Sequence, residues 1–245
     1  MTSTSRDEKG RDLRGKHALV TGATTPLARV LAVGLAEAGA NVSVTTTTPI
    51  LAEEVQANSI LNECWAAAGV SGQARTLDLT DPAAVAAALD ALEREVAPVD
   101  ILVNATRAAG LVPALDASVE DFRAQLDRHT TTTFVACQAA GRRMTERGAG
   151  RIVNLVSLAS DHVTTGASLF SASQAAILGL TRALGTEWPN VSVNALGVEF
   201  YDGGALSAAS AAAVQEVVVT LASDDAQQMH GELLTVDGPL ADRAE

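Results

Sequence analysis

The feature that most constrains this chain is a repeated alternation of two kinds of segment. Short runs of β-branched and apolar residues, typical of buried strands, are followed by longer alanine-rich stretches with helical spacing. Strands joined by helices in this way pair in parallel, and the helices cover both faces of the sheet. The alternation therefore predicts an α/β fold built on a parallel sheet.

The predicted elements run along almost the whole chain. Strands are predicted at His17–Thr21, Val42–Thr46, Ala74–Leu77, Ile101–Val103, Arg151–Leu155, Ser192–Ala195 and Leu233–Val236. Helices are predicted at Pro26–Ala38, Ile50–Ala68, Ala83–Val96, Val119–Glu146, Ser171–Glu187 and Ala209–Ala222. No break in composition divides them, so we expect a loose tail at residues 1–12 and a single domain at residues 13–245.

Composition argues against several classes of function. The formal net charge is −12, and so acidic a protein repels phosphate groups, which disfavours nucleic acids and anionic membranes as partners. No apolar run approaches the roughly 20 residues that span a bilayer, and the polar first residues lack the apolar stretch of a secretory signal. A cytoplasmic location is therefore expected. Cys64 and Cys137 form no CxxC pair, so free thiols and no metal site are predicted.

Several segments occur in the order in which a known family carries them. They are Leu13–Ala23, Leu77–Asp81, Asp100–Asn104, Gly150–Asn154, Leu178–Leu184, Leu221–Asp225 and Val236–Gly238. Through these segments the chain resembles the short-chain dehydrogenase/reductase family, most of all the single-domain branch that includes the β-ketoacyl-ACP reductases. The resemblance implies a doubly wound, Rossmann-like parallel sheet in the strand order 3-2-1-4-5-6-7. It also implies hydride transfer between NAD(P) and an alcohol or ketone.

The phosphate-binding turn departs from the family pattern. In the family this turn reads TGxxxGxG, and its glycines let the backbone approach the dinucleotide pyrophosphate. Only Gly22 remains here, because Pro26 and Ala28 stand at the second and third glycine positions. Pro26 lacks an N–H donor, and Thr25 before it predicts a helix that caps itself without a phosphate.

The rest of the cofactor motif is also altered. The second strand ends in Thr45–Thr48, without the acid typical of NAD binding or the base typical of NADP binding. Asp78 and Asn104 match the family, but Arg107 stands where the family has a glycine beside the cofactor. We therefore expect a narrowed or filled crevice and no cofactor on this chain, with NAD or NADP on an active partner subunit.

The catalytic motif departs furthest. The family uses Ser, Tyr and Lys with a supporting Asn; the Tyr phenol passes the proton and the Lys lowers the Tyr pKa. The matching positions hold Phe170 for Tyr, Gln174 for Lys and His129 for Asn, and Ser157 alone remains. Tyr201, the single tyrosine, follows the sixth strand in a segment too short for the usual substrate lid. The resemblance therefore predicts no intact catalytic site.

These substitutions favour one function and leave alternatives. The favoured interpretation is a pseudoenzyme, a catalytically degenerate subunit that supports an active relative acting on a hydroxyacyl or ketoacyl thioester. One alternative is a divergent but active NAD(P)-dependent oxidoreductase, and another is a ligand-binding module in the vacated pocket. A hydrolase using Ser157 and His129 is disfavoured, since the sequence shows neither an oxyanion hole nor an orienting acid.

The resemblance also bears on assembly. Family members usually form dimers and tetramers through two long helices, here near Val119–Glu146 and Ser171–Glu187. The apolar residues of these helices pack either in the subunit's own core or against a partner. We expect a heterotetramer with an active homologue, and a homo-oligomer is the alternative.

Overall fold

A parallel seven-stranded sheet forms the centre of the fold. The computed structural model describes residues 11–23, 25–105, 111–158, 165–198 and 207–236. The sheet order is β3-β2-β1-β4-β5-β6-β7, and every neighbouring pair is parallel. The predicted α/β fold and strand order are confirmed. The strands are β1 His17–Thr21, β2 Asn41–Thr46, β3 Ala74–Thr76, β4 Ile101–Asn104, β5 Gly150–Ser157, β6 Val191–Val198 and β7 Leu233–Val236.

Helices cover both faces of this sheet. The helices are α1 Pro26–Glu37, α2 Leu51–Ala68, α3 Pro82–Glu95, α4 Val119–Leu126, α5 Thr132–Arg147, α6 Ser168–Glu187 and α7 Ala208–Ala222. On one face, α1, α2 and α7 bury a cluster that includes Leu31, Ile60 and Val218. On the other face, α3 and α5 bury a second cluster that includes Leu89 and Met144. Each face therefore has its own apolar layer, as a doubly wound sheet requires.

The starts of two helices follow the sequence signals closely. Thr25 caps α1, because its Oγ1 accepts a hydrogen bond from the Ala28 N–H at 3.1 Å, and Pro26 is the first helical residue. Asp81 caps α3 in the same way, with Pro82 following. The predicted self-capped start of α1 is confirmed.

The long helix predicted at Val119–Glu146 is interrupted. A π-helical turn at Asp127–Thr131 separates α4 from α5. The threonines that follow stabilise this wide turn: Thr133 Oγ1 donates to the His129 carbonyl at 2.7 Å, and Thr132 Oγ1 donates to the Arg128 carbonyl at 2.9 Å. Such turns are rare and often occur at functional sites, which makes His129 and Arg128 of interest.

Some predictions concern residues that the structure does not describe. Residues 1–10 of the predicted tail, Arg107 and Tyr201 lie outside the described residues. The division into a tail and a single domain at residues 13–245 therefore stays a prediction. Cys64 and Cys137 are free and buried, as predicted, and burial raises the pKa of Cys137 to about 12. Among the described helices, none combines the length and apolar character needed to cross a membrane.

Candidate functional site

The candidate site lies where the central strands end. Thr21 at the end of β1 is in register with Asn104 at the end of β4, and Asn104 is in register with Asn154 of β5. In the sheet, β2 lies next to β1 on one edge and β4 lies next to β1 on the other, so the strand order reverses between β1 and β4. Ligands of doubly wound folds bind in the crevice at this reversal of strand order, outside the carboxyl ends of the strands.

A cavity of about 300 Å³ opens at this edge. This volume lies at the lower end of the range of about 300–1,000 Å³ that small-molecule sites occupy. The crevice is therefore not filled within the described part of the chain. Ala28 is not among the residues that line the cavity, because it lies on the buried face of α1 and packs into the core. The cavity is lined by Thr21, Gly22, Thr47, Asp78, Leu79, Thr80, Asn104, Ala105, Arg128, Thr132 and Thr133.

A second cavity, of about 330 Å³, lies at the opposite edge of the sheet. It is lined by residues near the amino ends of the strands, including Lys16, Ile101 and Arg151. The Arg151 guanidinium is already engaged there by the Ser223 carbonyl at 3.0 Å and by Asp224 at 3.2 Å. Because parallel sheets carry their sites at the carboxyl ends of the strands, the smaller cavity is the better candidate.

Gly22 allows β1 and β4 to end close together. Its φ is +69°, in the left-handed region that favours glycine, and a Cβ at this position would lie 2.4 Å from the Ala105 carbonyl oxygen. The glycine is therefore required by the approach of its own neighbouring strand. It also leaves the wall of the cavity without a side chain at this point.

Asn104 has a structural role that the sequence did not reveal. Its Nδ2 donates to Asn154 Oδ1 at 2.8 Å, and Asn154 Nδ2 donates to Thr181 Oγ1 at 2.9 Å. Cys137 Sγ lies 3.3 Å from Asn104 Nδ2. All four residues are buried, so this chain of hydrogen bonds satisfies polar groups inside the core. The Asn104 side chain thus holds β4, β5 and α6 together beneath the cavity that it lines.

Asp78 supplies negative charge to the cavity. Its Oδ1 accepts hydrogen bonds from the Thr80 hydroxyl at 2.7 Å and from the Thr80 N–H at 2.8 Å. These two hydrogen bonds stabilise the carboxylate and hold the pKa of Asp78 below its ordinary value. Asp78 is therefore ionised at neutral pH and is fixed in place by the turn that precedes α3.

The positions of the family's catalytic residues come together in the structure. Ser157 ends β5, Phe170 and Gln174 lie on α6, and His129 lies on the π-helical turn. Gln174 Oε1 accepts a hydrogen bond from the Ser157 N–H at 2.9 Å. Phe170 and Gln174 are almost fully buried, whereas Ser157 is partly exposed. The backbone arrangement implied by the resemblance is thus present, although two of its side chains cannot transfer a proton.

His129 is fully buried, and neither ring nitrogen has a hydrogen-bond partner among the described residues. Burial, and secondarily the positive charge of Arg128, lower the pKa of His129 to about 4. The imidazole is therefore neutral at physiological pH. Its ring packs against the ring of Phe170, so the neutral imidazole fills buried space as an apolar side chain would.

The start of α1 offers few donors for a phosphate. Pro26 has no N–H, and the Ala28 N–H is already bonded to Thr25. Arg107, the cation predicted beside the cofactor, lies outside the described residues. Sequence reasoning missed Arg128, which lines the cavity and whose only sequence signal is its place before His129.

Comparison with known proteins identifies the family. The profile described as short chain dehydrogenase matches residues 16–216. A D-threitol dehydrogenase of Mycolicibacterium smegmatis is 32% identical, with 92% of this chain and 93% of that protein aligned. A 2-dehydro-3-deoxy-D-gluconate 5-dehydrogenase of Formosa agariphila is 29% identical, with 78% of this chain and 71% of that protein aligned. The crystal structure of a Burkholderia cenocepacia gluconate 5-dehydrogenase in complex with NADP and tartrate superimposes with a TM-score of 0.83, at 26% identity, over 96% of this chain and 98% of that one.

These relatives overturn two predictions from the sequence. The relatives are named dehydrogenases of polyols and sugar acids, so the interpretation as a pseudoenzyme supporting a thioester dehydrogenase is wrong. One of them holds NADP on the same fold, so the expectation of no cofactor on this chain is wrong as well. The cavity that the described residues leave at the ends of β1 and β4 agrees with both corrections.

Proposed function

This chain belongs to the short-chain dehydrogenase family, and we propose that it is an active, divergent NAD(P)-dependent oxidoreductase that interconverts an alcohol and a ketone. The observation that carries this proposal is the cavity at the carboxyl ends of β1 and β4. It lies at the reversal of strand order, where folds of this kind bind dinucleotides. The similarity to named dehydrogenases along most of the chain supports the same activity.

The residues of the cavity fit the adenosine half of a dinucleotide. Gly22 leaves the wall open, and the fixed Asp78 carboxylate offers an acceptor for the amine or hydroxyl groups of a nucleoside. Thr47 and Thr80 add further polar groups to the lining. When bound, NAD(P) supplies or accepts the hydride of the reaction.

The residues at the end of β5 position the substrate. Ser157 is partly exposed and carries the hydroxyl that we assign to holding the substrate oxygen. Gln174 fixes the Ser157 backbone through its 2.9 Å hydrogen bond. Phe170 contributes an apolar wall and cannot exchange a proton, so the hydroxyl proton that is released or taken up with each hydride transfer would pass to or from solvent water. Since the Tyr and Lys of the family are replaced, we expect turnover slower by a factor of about 10²–10⁴ than in relatives that keep them, the usual contribution of general acid–base catalysis.

The proposed substrate is a small polyhydroxylated alcohol or the corresponding ketone. This assignment comes from the relatives, which are named for threitol and for derivatives of gluconate. The sequence alone pointed instead to acyl thioesters. A polyol is the more specific proposal, because the D-threitol dehydrogenase aligns with nearly the whole chain.

Two measurements test the proposed function. NADH and NADPH are titrated into the purified protein while nicotinamide fluorescence and thermal stability are followed; we expect binding of at least one of them to raise the melting temperature. The protein is then incubated with the oxidised cofactor and D-threitol or gluconate, and the reduced nicotinamide is measured by absorbance. Ser157→Ala is the matched variant and is expected to lose turnover while it keeps cofactor binding. Failure of both dinucleotides to bind at millimolar concentration would overturn the proposal.

A further inference from the structure

We infer that Arg128 binds a phosphate group of the dinucleotide and thereby replaces contacts that the start of α1 no longer offers. This inference rests on the proposed function, since it assumes that the cofactor occupies the cavity at the ends of β1 and β4. Among the described residues that line this cavity, Arg128 is the only cation and Asp78 is the only anion. Arg128 is therefore the one cationic side chain of the described lining that is suited to bind a phosphate.

The π-helical turn fixes the backbone of Arg128. Thr132 Oγ1 donates to the Arg128 carbonyl at 2.9 Å, and the next carbonyl, of His129, accepts from Thr133 Oγ1 at 2.7 Å. Asp127, the adjacent carboxylate, accepts a hydrogen bond from Thr131 Oγ1 at 3.0 Å. The threonine run therefore holds the turn that carries Arg128 to the edge of the cavity.

Within the described part of the chain, the exposed Arg128 side chain forms no salt bridge with a carboxylate, whereas most of the described arginines do. Arg123, one turn earlier on α4, is close to Glu120, with 3.6 Å between Arg123 Nη1 and Glu120 Oε1. The five N–H donors of a guanidinium match the oxygens of a phosphate and bind two of them at once. Arg128 is therefore available to an anion that enters the cavity.

A cation is needed here on electrostatic grounds. The protein has a formal net charge of −12, and Asp78 adds an ionised carboxylate to the cavity itself. The helix start that normally receives the pyrophosphate has lost one donor to Pro26, while another is bonded to Thr25. Without an additional positive group, a dinucleotide would meet net repulsion as its phosphates approach.

The test compares dinucleotide binding by Arg128→Met with binding by Arg123→Met, the matched control. Dissociation constants for NADH and NADPH are measured by fluorescence, and those for AMP and adenosine by calorimetry. Loss of a hydrogen-bonded charge contact is expected to weaken NADH binding by roughly ten-fold or more in Arg128→Met. Arg123→Met should stay within about two-fold of the wild type, and adenosine, which has no phosphate, should bind both variants equally.

Further measurements separate the outcomes. Equal losses for NADH and NADPH support the inference, because both dinucleotides carry the pyrophosphate. A loss confined to NADPH would place Arg128 at the 2′-phosphate and overturn the replacement of the contacts at the start of α1. Arg128→Lys keeps the charge and should recover part of the affinity, and rising salt should weaken the wild type more than Arg128→Met. If the wild type binds a dinucleotide and Arg128→Met binds it equally well, the inference is wrong while the proposed function stands. If the wild type binds neither dinucleotide, the proposed function itself fails.

Discussion

The ring of His129 meets the ring of Phe170 edge to face, with the centroids 5.5 Å apart and the planes at 76°. These two residues occupy the positions of the supporting Asn and the catalytic Tyr of the family. Where those two polar side chains would stand, this chain has an aromatic contact that is closed to water. Such edge-to-face contacts contribute about 0.5–1.5 kcal/mol beyond the area that they bury.

The buried imidazole predicts a pH dependence of stability. The pKa of His129 falls from 6.5 to about 4 on folding, so between these values the unfolded chain binds a proton that the folded chain does not. Stability therefore decreases as the pH falls from about 6.5 toward 4, by up to about 3 kcal/mol from this residue. Urea unfolding at a series of pH values measures the slope.

His129→Asn is the variant for this measurement, because asparagine does not titrate and is the family's residue. We expect a shallower loss of stability below pH about 6.5 in the variant. His17, which is also buried and has a lowered pKa, contributes the same sign in both proteins and cancels in the comparison. Equal slopes in the wild type and the variant would show that His129 does not titrate as the structure indicates.

The Gln174 side chain is predicted to stabilise the end of β5. Gln174→Met removes the acceptor of the Ser157 N–H and should lower the free energy of unfolding by about 1–3 kcal/mol. Gln125→Met is the matched control, because Gln125 is also buried but its Nε2 has no hydrogen-bond partner among the described residues. This control should cost less or stabilise the fold. Chemical denaturation of both variants decides, and an equal cost would contradict the assigned role of Gln174.

Substituting Gly22 and Gly69 by alanine allows the cost of backbone strain to be distinguished from the cost of steric overlap. Both have a positive φ, +69° and +67°, but a Cβ at Gly69 meets no atom within 4 Å. Gly69→Ala should therefore cost only the left-handed strain of roughly 1–2 kcal/mol. Gly22→Ala should cost at least about 2 kcal/mol more, because its Cβ would overlap the Ala105 carbonyl and push β1 and β4 apart. Thermal unfolding of the two variants compares these costs, and similar values would be evidence against the close approach.

Assembly gives the last prediction. The sequence left open whether the apolar residues of the two long helices pack in the subunit's own core or against a partner, and most of them, such as Ala136 and Ile177, lie in the core. Val119, Phe122 and Phe134 are instead exposed on α4 and α5, and we expect this face to be covered by another chain. Pairing with an active homologue in a tetramer of two plus two chains stays a prediction, as does self-association.

Light scattering after size-exclusion chromatography measures the assembly. The wild type, alone or co-expressed with an active homologue, should elute as an oligomer, and Phe134→Glu should reduce it to a smaller species. Trp65→Glu, an exposed aromatic on α2, is the control and should leave the oligomer intact. A monomeric wild type that also fails to join the homologue would refute the association.

Local sequence patterns located the strands and helices along the chain, and the family resemblance supplied the strand order. Alternating strand and helix patterns located each strand of the described residues to within a few residues, and Thr25-Pro26 located the start of α1. These features depend on interactions between residues that are close along the chain, such as caps, side-chain period and turn chemistry. These patterns did not predict the π-helical turn at Asp127–Thr131. The turn depends on hydrogen bonds from threonine hydroxyls to backbone carbonyls, which periodicity does not reveal.

The site was decided by tertiary structure. From the sequence, Pro26, Ala28 and Arg107 predicted a narrowed or filled crevice; Ala28 instead packs into the core, and the described residues leave a cavity at this edge. Asn104 matched a cofactor motif, yet its side chain donates a hydrogen bond to Asn154 on the neighbouring strand β5. Arg128 belongs to no motif that the sequence analysis used, but the fold places it in the lining of the cavity. The sequence by itself determined where the strands and helices lie along the chain, because caps and side-chain periodicity depend on neighbouring residues. The cavity and its charges depend on which distant side chains the packed strands bring together.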